Sequence, residues 1–259
     1  MRTPSIDVYV AAFVARCDVV RRPGQTELDE PGVRGLLAFA DDPLTRLLVT
    51  DDRAYPMLAA LLLDTRAGII NVSATATRCT KLIDGHPAWK SSAGTAMICR
   101  DLDTVPAVSL PSELTLRPVR RLADDAPDGV ALEQAAAAAR LGDPRIDGPP
   151  DAFADYLRSL SPANQLFAAV DGDGAVRATS GCGAFGLDAN VFFINTAPGW
   201  RGRGIGQAMT AAALRAAQDS GAQRACLDAT DAGLPIYRRL GFEAVDRITR
   251  WAAVRRKDR

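Results

Sequence analysis

Residues 192–206 constrain this chain more than any other stretch; they read Phe-Phe-Ile-Asn-Thr-Ala-Pro-Gly-Trp-Arg-Gly-Arg-Gly-Ile-Gly. An apolar run stops at a Pro-Gly turn, and three alternating glycines, Gly202, Gly204 and Gly206, then open an Ala-rich stretch that Gly221 ends. That order predicts a buried strand, a loop and a helix from about Gly204 to Ser220, with glycine as its C-terminal stop. The first turn of a helix presents unpaired N–H groups and the positive end of the dipole. Glycine, lacking Cβ, lets a ligand approach that backbone closely. Gly202, Arg203, Gly204, Ile205, Gly206 and Gln207 are therefore the candidate cradle for a diphosphate, with charge-assisted contacts from Arg201 and Arg203. Two other phosphate loops are excluded. Gly199 and Gly204 have P-loop spacing, but Ile205 and Gly206 follow in place of Lys and Ser/Thr. In a dinucleotide fingerprint begun at Gly202, Gln207 takes the third glycine position. A literal G-x-G-x-x-G at Gly181–Gly186 leads into a strand and is read as a bulge and turn between neighbouring strands.

The 259 residues carry 31 Lys+Arg against 31 Asp+Glu, and zero net charge removes the usual electrostatic reason to expect nucleic-acid binding. All basic residues but Lys81, Lys90 and Lys257 are arginines, a bias read as compositional and not as a phosphate-binding surface. The clean apolar run Met57 to Leu63 falls far short of the ~20 residues that cross a bilayer, so no membrane partner is expected. Ile6 to Ala15 is interrupted by Asp7 and has no small-residue cleavage site after it, so it reads as an amphipathic helix and not as a leader. Cys17, Cys79, Cys99, Cys182 and Cys226 are odd in number and form no C-x-x-C pair, which points to buried thiols in a reducing, cytoplasmic setting.

Two prolines in Val105–Ser112 mark a connector. The expected organisation is a small α+β domain over 1–112 and a larger domain over 113–259. In the first, Arg46–Thr50, Gly68–Ala74 and Gly94–Arg100 read as strands and Ala54–Leu63 as a helix. In the second, strands are expected at Leu114–Val119, Leu166–Val170, Ala175–Ser180, Val191–Thr196, Arg224–Ala229 and from Phe242. Helices are expected at Pro127–Leu141, Pro150–Leu160 and Leu234–Leu240, and Asp171–Gly174 forms a hairpin turn.

Arg201-x-x-Gly204-x-Gly206 after a strand resembles the R/Q-x-x-G-x-G/A acyl-CoA loop of the GNAT N-acetyltransferase superfamily, and Tyr237-Arg-Arg-Leu-Gly-Phe242 is similar to its Y-x-x-L-G-F segment. The resemblance covers 113–259. It implies an α+β fold with a mixed, splayed central sheet flanked by helices, here preceded by the smaller α+β domain. It also implies acetyl-CoA as co-substrate, an amine attacking the thioester directly, and no metal. The backbone of Ile194, Asn195 and Thr196 would pair with the pantetheine arm, and a backbone N–H near the end of that strand would steady the oxyanion. Tyr237 matches the position of the general acid that protonates the departing thiolate; a phenol, ordinarily near pKa 10, suits that role. Thr230 stands where many relatives carry Asn seven residues before the tyrosine, and its hydroxyl would reach pantetheine or a water.

The general base stays open. Asp228 lies beside the expected thioester, yet a strand carboxylate is as often simply hydrogen-bonded. Asp143, Asp147 and Asp151 would attract a cationic amine or serve as turn and capping residues. His86, the only histidine, sits among turn residues with no G-x-S-x-G serine to join it, and no metal-ligand spacing is present. The reading is acetyl transfer to the amine of a small molecule. Its alternatives are a catalytically weak acyl-CoA-binding regulatory protein and a protein N-terminal or lysine acetyltransferase. The N-terminal domain would either close over the acceptor pocket or form a homodimer interface.

Overall fold

The computed structural model describes residues 9–10, 13, 25–38, 45–64, 68–87, 89–120, 128–142, 150–158, 160 and 163–253. The chain forms two compact units. One takes the chain to Ile98 together with Asp228–Leu234 and the segment from Glu243 onward; the other holds Cys99–Leu227 and Pro235–Phe242.

In the first unit β1 (Gln25–Glu30) and β2 (Val33–Ala38) form an antiparallel hairpin registered from Gln25↔Ala38 to Glu30↔Val33. Gly32, at φ 81°, supplies the left-handed residue of its tight turn. β2 pairs antiparallel with β3 (Thr45–Val49). Helix α1 (Tyr55–Asp64) then crosses over to β4 (Gly68–Ser73), which lies parallel to β3. Helix α2 (Thr77–Asp84) and strand β5 (Lys90–Cys99) follow. Leu47, Val49, Ile70 and Val72 of the parallel pair are fully buried against Leu58 of α1 and Ile83 of α2, which makes the core of this unit.

The second unit runs β6 (Thr115–Arg120), β7 (Val130–Ala131), α3 (Leu132–Gly142), α4 (Pro150–Arg158), β8 (Asn164–Val170), β9 (Val176–Phe185), β10 (Asp188–Thr196), α5 (Ile205–Asp219), β11 (Arg224–Ala229) and α6 (Leu234–Arg239). Its sheet order is β11-β10-β9-β8-β6-β7. All neighbours are antiparallel except β10/β11 and β6/β7. The Ala-rich sequence of α5 lets it lie close on the sheet, with Ala208, Met209, Ala211, Ala213, Leu214 and Ala217 buried. Its end is a Schellman turn: Ala222 N–H donates to Ala217 O at 3.1 Å and Gly221 N–H to Gln218 O at 2.8 Å, with Gly221 at φ 94°.

The last strand, β12 (Glu243–Ala253), pairs antiparallel with β4 and with β5, from Ile248↔Ser73 to Ala253↔Gly68 on one side and from Glu243↔Ile98 to Ala252↔Lys90 on the other. The compact units divide at Ile98/Cys99, and the C-terminal strand joins the first unit. The G-x-G-x-x-G segment differs from expectation, because Gly181 and Gly183 lie within β9, whose register against β8 and β10 is unbroken there. A Cβ at Gly181 would stand 2.7 Å from Leu166 Cδ2, and one at Gly183 2.5 Å from Asn164 Oδ1. Close approach explains those glycines. Only Gly186, at φ 60°, serves the turn. Cys17, Asp143 and Asp147 lie outside the described residues.

Candidate active site

β10 and β11 begin as a parallel ladder, Asp188↔Arg224, Ala189↔Ala225 and Asn190↔Cys226, and the register ends there although both strands continue. The buried Asn190 amide donates to Cys226 O at 3.2 Å and so spans the last closed rung. Beyond it β10 carries a bulge against β9: the register steps from Phe192↔Gly181 to Asn195↔Thr179. Phe193 sits at φ 62°, a left-handed conformation that costs a bulky side chain about 1–3 kcal/mol. Thr179 Oγ1 donates to Phe193 O at 2.9 Å and holds it in place. Ile194, Asn195 and Thr196 are half-buried and follow this kink, so their edge toward β11 runs on past the last rung.

The loop that follows is fixed at both ends. Arg201 Nε donates to Thr196 O at 3.1 Å, and Pro198–Trp200 form a 3-10 turn. Gly202 and Gly204 take φ 78° and 74°, and a Cβ on either would meet nothing within 4 Å. Backbone geometry and an open approach, not packing, call for glycine at both. Gly204 caps α5 without a side-chain bond to its first turn, leaving that turn's N–H groups aimed outward. Gly206 differs: a Cβ there would stand 3.5 Å from Ile236 Cδ1 and 3.7 Å from Thr196 Oγ1, so it sits between the end of β10 and α6. Ile205 is buried beneath the loop, and Gln207 Oε1 accepts from Arg239 Nε at 3.2 Å.

Positive charge is arranged around Trp200. The Arg177 and Arg203 guanidinium carbons stand 5.3 and 4.9 Å from its ring centroid. Arg177 is paired to Asp171 at 2.5 Å and Arg203 to Glu113 at 3.2 Å. Tyr237, from α6, is 9% exposed and meets Phe242 edge-on at 6.1 Å between centroids. On α4, Phe153 stacks with Tyr156 at 6.0 Å and leans on Phe193 at 5.8 Å, placing a group of rings at the bulge.

Ile194 to Thr196, Arg201 to Gln207 and Tyr237 thus share the second unit, whereas Thr230 belongs to the segment that joins the first. The Thr230 hydroxyl accepts from Gly233 N–H at 3.2 Å and its carbonyl from Leu234 N–H at 3.1 Å, which caps the start of α6. Asp228 accepts from the Tyr9 phenol and from Asn71 Nδ2, at 3.2 Å from the latter. Sequence reasoning had no signal for Tyr9 and Asn71, nor for Phe153, Trp200 and Glu113. His86 stands just past the end of α2, its N–H on Ile83 O at 2.9 Å. Burial pushes the Cys182 thiol up to about 12 and the Cys79 thiol up to about 11. No group of three or more His, Cys, Asp or Glu able to hold a metal occurs among the described residues, and no described helix is long and apolar enough to cross a membrane.

Residues 162–244 match the family model described as acetyltransferase (GNAT) domain. No curated protein matches the chain. Among solved structures, a GCN5-related N-acetyltransferase from Kribbella flavida is similar at 20% identity and TM-score 0.61, covering 95% of this chain and 96% of that one. A GCN5-related N-acetyltransferase from Sphaerobacter thermophilus is 16% identical at TM-score 0.54, covering 98% and 95%. A tandem GNAT protein from the clavulanic acid biosynthesis pathway is 18% identical at TM-score 0.54, covering 96% and 94%. At these identities the likeness establishes the fold.

Proposed function

We propose, from the premise that residues 162–244 carry a GNAT domain, that this protein is an acetyl-CoA-dependent N-acetyltransferase acting on the amine of a small molecule. The observation that carries the proposal is the pairing of an opened strand edge at Ile194–Thr196 with an uncapped glycine loop at Gly202–Gln207, joined through the Pro198–Trp200 turn. The first fits an extended amide-bearing arm, which would add to β10 as a strand does. The second fits a diphosphate, which the N–H groups of the first turn of α5 and the side chains of Arg201 and Arg203 would hold.

Acetyl-CoA supplies an acetyl thioester already activated toward amines. The protein positions that carbonyl, and a backbone N–H freed at the Phe193 bulge meets the oxygen as it gains charge. Tyr237 gives its phenolic proton to the departing thiolate sulfur, and the proton that the attacking nitrogen loses on becoming an amide passes through water and restores the phenol. The rings of Phe153, Tyr156 and Phe193 offer the acceptor a largely apolar wall that limits water at the bulge. The intrinsic reactivity of a neutral amine toward a thioester means that no covalent enzyme intermediate is required.

The test is acetyl-CoA-dependent release of free thiol across a panel of amines. Release with at least one amine is expected. Tyr237→Phe should lower turnover by about 10²–10⁴-fold, the usual range for losing a general acid, with acetyl-CoA affinity nearly unchanged. A protein that binds acetyl-CoA yet releases no thiol with any amine would instead be the regulatory reading. Turnover on peptides alone would shift the acceptor to protein termini or lysines.

A further inference from the structure

The two units repeat one order of pairings. In the second, β8, β9 and β10 pair antiparallel in sequence and α5 crosses over to the parallel β11; the short helix α6 follows, and after it the chain enters β12, which belongs to the first unit. In the first, β1, β2 and β3 pair antiparallel in sequence, α1 crosses over to the parallel β4, and α2 and β5 follow. The counterpart of the acyl-CoA site is therefore identifiable in the first unit, at the β3/β4 pair and the loop that opens α1.

At every point where the second unit is open, the first is closed by its own atoms. The β3/β4 register runs from Thr45↔Gly68 to Val49↔Val72, through the whole of β3, so no free edge remains for a pantetheine arm. The loop shrinks from residues 197–204 to residues 50–54, without a glycine; counted back from the first residue of each helix, Tyr55 and Ile205, Asp51 stands where the second unit has Arg201 and Asp52 where it has Gly202, while Arg53 keeps the place of Arg203. These carboxylates repel a diphosphate, and both are engaged. Asp51 binds Arg53 through two contacts, at 2.8 and 2.7 Å. Asp52 accepts from the N–H groups of Arg78 and Cys79 at 2.8 and 3.0 Å, filling the start of α2. Thr75 Oγ1 donates to Thr50 O at 2.9 Å and ties the loop after β4 to the loop after β3. Counted back from the glycine behind each helix, Gly85 and Gly241, the position of Tyr237 is held by Lys81.

We infer that the first unit is a second, sealed copy of the acyl-CoA-binding topology, so that the chain binds one acyl-CoA and the N-terminal copy serves as the pairing platform for β12. The inference rests on the acyl-CoA reading of the second unit. Native mass spectrometry of the full chain with saturating acetyl-CoA should show one molecule per chain, and Gly204→Glu should show none. Should that variant fail to fold by circular dichroism, Arg201→Ala/Arg203→Ala replaces it and should retain less than a tenth of the wild-type occupancy. Hydrogen exchange on the wild type adds an independent readout: acetyl-CoA should slow amides at 194–207 and leave 49–56 unchanged. Two molecules per wild-type chain, or protection at 49–56, overturns the sealed copy while leaving the acyl-CoA site intact. No bound acetyl-CoA on the wild type overturns that site and the count together.

Discussion

At the scale of single residues, two kinds of constraint meet in this protein. Gly202 and Gly204 are legible in the sequence because their reason is local: a positive φ and an uncapped helix start lie within a few residues of each other. Asp228 is the opposite case. Its partners Tyr9 and Asn71 lie 219 and 157 positions away in sequence, and no local pattern joins a phenol, an amide and a carboxylate over such separations. Asp51 offers a test of the closed loop at this scale. The Arg53 guanidinium holds its carboxyl at about 2, below the usual 3.8. Its ionised form is thus favoured in the folded state, and its contribution is present above about pH 4 and is lost as pH falls toward 2. Asp51→Asn, which removes the charge facing the exposed Arg53, should cost no more than about 1 kcal/mol at pH 7, the upper range for a solvent-screened ion pair. The gap to wild type in urea unfolding should close between pH 4 and pH 2. Curves that stay parallel over that range would show that the pair contributes nothing.

The elements of the second unit follow from strong local signals. The helix expected over Gly204–Ser220 is found as α5, and the strand expected at Arg224–Ala229 has those bounds. The hairpin of β1 and β2 escaped notice because Gln25–Glu30 is polar on nearly every position, with only Gln25 buried, so it lacks the alternation that marks a half-buried strand. Helix α2 escaped for a related reason. Its sequence, Thr-Arg-Cys-Thr-Lys-Leu-Ile-Asp, is poor in strong helix formers, and packing of Cys79 and Ile83 against the core supplies what propensity does not. The glycines of β9 were visible in sequence, but their reason is the approach of a neighbouring strand. Gly181→Ala should destabilise the protein by about 1–3 kcal/mol through that crowding, read as a lower midpoint in thermal unfolding. An unchanged midpoint would show that Leu166 yields freely.

At the scale of the whole molecule, β12 groups with the first unit because it pairs with β4 and β5 instead of closing a domain made only of the residues before it. Long-range strand choice of this kind leaves no trace in a hydrophobic pattern. It also predicts that a chain beginning at Cys99 lacks both ladder partners of β12 and should not give a cooperative, monomeric fold. Size-exclusion chromatography with thermal unfolding checks this, and a monomeric fragment that melts cooperatively would contradict it.

The central claim, that the opened edge of β10 and the glycine loop before α5 together form an acyl-CoA site, is tested most directly by calorimetric titration of acetyl-CoA into the full chain, with NAD and ATP as controls. The predicted result is selective, saturable binding of acetyl-CoA near micromolar strength with no response to either control. No binding of acetyl-CoA or of a longer acyl-CoA would contradict the claim, and would leave the glycine loop as a turn that merely starts a helix.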